Sequence, residues 1–192
     1  MTRTLSILAA LFIATPALAH LAPSEYGSFL AGATHPVFGL DHVLAMIAVG
    51  LWAAQIGGRA IWLVPTAFVA TMLAGFLLAL AGLPLPFVEP SILASIVVLG
   101  LVVALALRPD PRLAVALVAV FALFHGHAHG GELGTASALQ FGAGFALATA
   151  LLHAAGLGVA VAASRLLATA QAPILRLLGG LTSTAGLYIA FG

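Results

Sequence analysis

The chain has 192 residues, 63% of them hydrophobic and 6% charged, with a formal net charge of +1. Soluble domains carry about 25% charged residues; six Lys/Arg and five Asp/Glu are too few to clothe a water-facing surface, so the bilayer has to solvate most of it. The near-neutral charge gives no basic patch for nucleic acid, and the absence of cysteine excludes disulfides, thiolate metal sites and thiol catalysis.

In chain order, residues 1–19 read as a secretory signal peptide. Arg3 supplies the basic n-region, Leu5 to Leu18 the apolar run, and Ala17-Leu18-Ala19 the small-residue cleavage pattern. Cleavage after Ala19 makes His20 the new N-terminus, where amine and ring nitrogen together chelate a metal. An uncleaved first span is the competing reading; Pro16 and the cleavage pattern favour removal. Ser24 to Thr34 is expected to form a short interfacial helix, stopped by His35-Pro36.

Six apolar segments follow, at roughly 40–57, 60–81, 90–107, 112–129, 138–163 and 173–191. Each approaches the 17–25 residues that cross about 30 Å of hydrocarbon. Turn chemistry separates them: Gly57-Gly58, Leu83-Pro84-Leu85-Pro86, Pro109-Asp110-Pro111, Gly130-Gly131 and Ala172-Pro173. The expected fold class is all-α, a polytopic membrane bundle of about six transmembrane helices over residues 20–192. Paired glycines (Gly142 and Gly144, Gly156 and Gly158, Gly179 and Gly180) suit close helix approach.

A signal cleaved outside starts the mature chain outside. The loops after spans 1, 3 and 5 are then cytoplasmic, and they hold Arg59, Arg108, Arg112, Arg165 and Arg176, every arginine after residue 19. The positive-inside rule is obeyed throughout. The predicted location is a bacterial inner membrane with both mature termini periplasmic. On this map Glu25, Asp41, Glu89 and Glu132 fall near the outer face, with His20, His35, His42, His125, His127 and His129. Such a face attracts cations. His153 alone lies deep, near the middle of span 5, with Gln140 above it.

Two clusters carry the chemistry. The first runs from His35 to His42 and offers two imidazoles and the Asp41 carboxylate within eight residues. Imidazole suits nickel, cobalt, copper and zinc, and a carboxylate offsets charge. Pro36 and Gly39 suggest a bend that folds His35 back over the helix start. Asp41 also has a plainer role as a helix cap, and Met46 one of packing. The second cluster is His125, His127, His129 and Glu132. His125 and His129, at i and i+4, share a helix face; His127 points elsewhere unless the neighbouring glycines let the helix unwind. His153 is an ionisable group inside a span and so a functional candidate, against the plainer reading of a hydrogen bond to a neighbouring helix. His20 and His153 are candidates for additional ligands.

The run His35-Pro36-x-x-Gly39-x-Asp41-His42-x-x-Ala45-Met46, continuing into Val49-Gly50-Leu51-Trp52-Ala53, resembles the first signature of the HupE/UreJ family. Phe124-His125-Gly126-His127-Ala128-His129-Gly130-x-Glu132 resembles the second. The resemblance covers essentially the whole chain. It implies a secondary permease for nickel, or in some members cobalt, often associated with maturation of nickel enzymes. It carries the family's ligand set onto His35, Asp41, His42, His125, His127, His129 and Glu132. The broader nickel/cobalt transporter family is also similar, with one residue fewer between the first histidine and the Asp-His pair.

The expected partners are a divalent metal ion, the lipid bilayer and nickel-enzyme maturation proteins. Apart from the transported or bound Ni2+ or Co2+, no cofactor and no catalytic residue is expected. Neutral imidazole binds metal, so binding should weaken as pH falls through roughly 6.5, and alanine at His42 or His127 should abolish transport. Two other classes compete. One is an intramembrane hydrolase with Zn2+ held by three histidines and an open water position, Asp41 or Glu132 acting as base. The other is a metal-binding accessory protein that does not transport.

Overall fold

The computed structural model of the chain describes residues 23–131, 137–167 and 171–192. The expected signal peptide, His20 and Glu132 therefore lie outside the described residues. Every regular element among the described residues is an α-helix: α1 (Pro23–Phe38), α2 (Leu40–Ile56), α3 (Ala60–Leu80), α4 (Val88–Ala104), α5 (Pro111–Gly131), α6 (Ala138–Leu167) and α7 (Gln171–Phe191). The six apolar segments coincide with α2 to α7.

Four helices, α3, α5, α6 and α7, are long and apolar enough to cross a membrane. Residues 28–38 of α1 and all of α2 pass the same test together, but their axes bend by 81° at Gly39. At 17 residues, α4 is apolar but shorter, at the lower limit for a span. The bundle is inside out by soluble standards. Trp62, Leu77, Leu113, Leu139, Leu151, Leu166 and Tyr188 are all more than half exposed, as a lipid-facing surface requires.

The centre of the bundle is α2, which touches every other helix. Its residues Ala48 to Ala53 are buried without a break, and a helix apolar all round belongs inside. Around it α3 packs on α5, α4 on α7, and α1 on α6. These contacts are close because glycines remove side chains between backbones. Gly126 of α5 sits against the Met72 carbonyl of α3, Gly156 of α6 against the Ile47 carbonyl of α2, and Gly144 of α6 against the Phe29 carbonyl of α1. Of the paired glycines, Gly144, Gly156 and Gly179 meet neighbouring backbone, whereas nothing lies near Gly158 or Gly180.

One expectation is corrected, and one alternative left open by the sequence is resolved. The first helix does not stop at His35-Pro36 but runs to Phe38, with Pro36 inside its last turn. Proline there forfeits only the bond to the Gly32 carbonyl, and packing along α6 holds the remaining turn. The break falls at Gly39, whose extended φ −85°, ψ 110° redirects the chain. Likewise α5 does not unwind through His125–His129: it stays helical to Gly131, and its glycines serve the contact with α3 instead.

Side-chain bonds mark the two ends of the bundle. Trp52 Nε1 donates to the Leu107 carbonyl at 2.8 Å, Gln55 Nε2 to Val103 at 3.1 Å, and Arg176 Nε to Ala104 at 2.9 Å. They gather the end of α2, the end of α4 and the start of α7 at the arginine end. The α1–α2 bend and the end of α5 meet at the opposite, histidine end.

Candidate metal site

At the histidine end, three helix segments deliver imidazoles to one place. His35 comes from the last turn of α1, His42 from the first turn of α2, and His125 and His129 from one face of α5. His35 and His129 lie with ring centroids 4.4 Å apart, His129 and His42 4.5 Å, and His42 and His125 4.9 Å. The four rings form a continuous row. His42, His125 and His129 are buried, and Phe145 closes edge-on over His129 at 4.6 Å. The 81° bend at Gly39 brings His35 into this row.

Hydrogen bonds assign the ring nitrogens. His42 Nδ1 lies 2.9 Å from Asp41 Oδ1, and the carboxylate accepts from Nδ1–H. That leaves Nε2 as the bare nitrogen of a neutral ring, facing into the cluster. Gly39 makes this pair possible, because a Cβ there would lie 2.8 Å from Asp41 Oδ1 and 2.9 Å from His42 Nδ1. On α4, Ser95 gives its one hydroxyl proton to the Ile92 carbonyl at 2.6 Å and lies 3.0 Å from His125 Nε2. Its oxygen must therefore accept from His125 Nε2–H. His125 Nδ1 then keeps its lone pair, and it has no hydrogen-bond partner among the described residues.

His42 Nε2 and His129 Nε2 are 2.6 Å apart, so His129 Nε2–H donates to the bare His42 Nε2. Two imidazole nitrogens on one ion at about 2.0–2.1 Å each and tetrahedral angles stand roughly 3.3 Å apart. The pair has to open to admit a metal. In keeping with this, no group of three His, Asp or Glu side chains among the described residues is spaced to hold an ion as it stands. The arrangement is a set of bare or exchangeable nitrogens in a dry setting, oriented by carboxylate and hydroxyl in the manner that fixes metal-ligating histidines.

The other predicted residues lie elsewhere. His127 turns away from the row, and its Nε2–H donates to the Leu83 carbonyl in the α3–α4 loop at 2.8 Å. His153 is buried below the row, and Gln140 is exposed. Met46 packs in the core. Glu89 stands in the first turn of α4.

The sequence model described as "HupE / UreJ protein" matches residues 8–189. The chain belongs to the HupE/UreJ family. It is 44% identical over 186 residues to the protein HupE of Rhizobium leguminosarum bv. viciae, covering 96% of this chain and 95% of that one. No solved structure matches it. The two runs that resemble HupE/UreJ signatures fall on the α1–α2 bend and on the end of α5, the two segments that build the histidine row. Sequence reasoning missed Ser95 and Phe68, which touch this row from α4 and α3. A serine one turn deeper than Ser91 in an apolar span was the available signal for Ser95; a phenylalanine among 11 gives none.

Proposed function

We propose that this HupE/UreJ protein is a secondary permease that takes up a divalent transition-metal ion, nickel or cobalt, through the histidine row at the outer face of a bacterial inner membrane. The observation that carries the reading is the row itself: His35, His42, His125 and His129, from segments up to 94 positions apart by their numbers, converge on one buried place beside Asp41. Apolar helices elsewhere avoid such groups because burying them is costly. The family resemblance supplies the metals, and the arginines supply the direction, with the histidine end outside and both mature termini periplasmic after removal of residues 1–19.

The mechanism follows from the donors. A hydrated dication meets Asp41 and His35, which are half-buried at the mouth of the row. The His42–His129 bond opens, the His129 ring shifts its proton from Nε2 to Nδ1, and the two Nε2 atoms with His125 Nδ1 replace part of the water shell. Glu132, directly after α5, supplies a further carboxylate. Imidazoles exchange ligands readily enough to pass an ion on and bind it well enough to select it. No catalytic step is assigned to the site, and an association with nickel-enzyme maturation proteins is part of the same reading.

Purified protein in liposomes loaded with a chelating dye tests it. Saturable uptake of nickel or cobalt, above zinc and copper, is the expected result. Tight binding of one equivalent with no uptake of any metal would instead make the chain a metal-binding accessory protein.

A further inference from the structure

The row of rings does not end at His125. Phe68 of α3 lies 5.7 Å from His125 and edge-on to His153 of α6 at 5.0 Å. In order, the neighbouring rings are His35, His129, His42, His125, Phe68 and His153. Phe68 is the one member of this series without a lone pair for a cation.

His153 is 1% exposed, and neither its Nδ1 nor its Nε2 has a hydrogen-bond partner among the described residues. Whichever tautomer it adopts, one donor and one acceptor go unmet in an apolar interior. A position that served packing alone would be filled by an apolar side chain without that penalty. The plainer reading of His153, a hydrogen bond to a neighbouring helix, does not match this geometry.

His153 lines a groove of about 470 Å3 between α3 and α6 whose other walls are apolar except for Thr66, and which takes in Ile61, Pro65 and the exposed Trp62. Pro65 has no N–H, so the Ile61 carbonyl loses its helical donor in the wall of the groove. Pro65 also lies three residues before Phe68, so the turn of α3 that carries the phenyl ring is missing a hydrogen bond at its base.

We infer that His153 is an inner station for a divalent transition-metal cation, separated from the outer histidines by the Phe68 ring, which moves aside for the ion to pass. The direction of travel rests on the permease reading; the binding at His153 does not. With Phe68 in place the apolar ring keeps a hydrated ion in the outer row. With it displaced, the His153 lone pair is the next donor on the way in.

Cobalt(II) titrated into the detergent-purified full chain, followed by its visible absorption and by bound equivalents, tests the inference. Wild type should bind one cobalt, in the outer row. Phe68→Ala, or the milder Phe68→Leu should Phe68→Ala fail to fold, should keep that ion and gain a second. Adding His153→Ala should remove the second alone. In liposomes, His153→Ala should keep the outer ion and lose uptake at least tenfold. A Phe68 variant that holds the first cobalt and gains none would overturn the inference, as would wild-type uptake by His153→Ala. Should wild type import nothing while the second site appears and vanishes as stated, the permease reading fails and the His153 site stands.

Discussion

Ser95→Ala removes a single hydroxyl and should disturb both stability and metal binding. Ser95 Oγ accepts from His125 Nε2–H because its own proton goes to the Ile92 carbonyl. Without it the ring's N–H is stranded at a residue that is fully buried. Leaving a buried donor unmet costs about 1–3 kcal/mol of stability. The second effect is on binding. Nothing then fixes the tautomer, so Nδ1 no longer presents a lone pair reliably to the row. Loss of such an orienting partner lowers metal affinity about 10–100-fold, equivalent to roughly 1.4–2.7 kcal/mol. Thermal unfolding and cobalt titration of the detergent-purified protein read the two effects separately, and 15N resonances of the His125 ring read the tautomer. Ser95→Thr, which keeps the hydroxyl, should restore both affinity and tautomer. Wild-type cobalt affinity in Ser95→Ala, with the Nε2–H tautomer unchanged, would refute the reasoning.

Other substitutions separate the members of the site. Asp41→Ala should lower metal affinity about 10–100-fold in the same titration, and Asp41→Asn less, because the amide oxygen can still accept from His42 Nδ1–H. His127→Ala should leave metal affinity within a few-fold of wild type and cost about 1 kcal/mol in thermal unfolding, since His127 ties α5 to the Leu83 carbonyl rather than joining the row. A large loss of affinity there would show that the ring swings inward on binding. Gly126→Ala drives a methyl group into the Met72 carbonyl at the main α3–α5 contact and should destabilise by about 1–3 kcal/mol or more. Gly158→Ala, with open space around it, should stay within about 0.5 kcal/mol.

The legibility of this protein in its sequence divides along physical lines. Helices α2 to α7 could be placed because hydropathy and turn residues are local properties, and the bilayer sets the required length. The bend that returns His35 to the site was visible in Pro36 and Gly39. Its position was not, because the contact of α1 with α6 carries the helix two residues beyond the proline. His125 and His129 were expected on one face and are found there. The fate of His127 depends on whether α5 unwinds, and the glycines that suggested unwinding are spent on packing against Met72 and Phe76. Ser95 and Phe68 act through contacts 30 and 57 positions away by their numbers, which no periodicity in a single sequence reveals. Their roles became readable only when α3, α4 and α5 stood side by side.

The most direct test of the central claim is a paired measurement on wild type and His42→Ala inserted into liposomes: the initial rate of nickel or cobalt uptake into an internal chelating dye, against the metal bound at equilibrium. His42 is the middle of the row, 2.6 Å from His129 through Nε2 and 2.9 Å from Asp41 through Nδ1. The account predicts saturable uptake by wild type, and loss of both binding and uptake in a variant that still inserts normally. Undiminished uptake by His42→Ala would contradict it, because the ion would then be crossing by a route that does not use the histidine row.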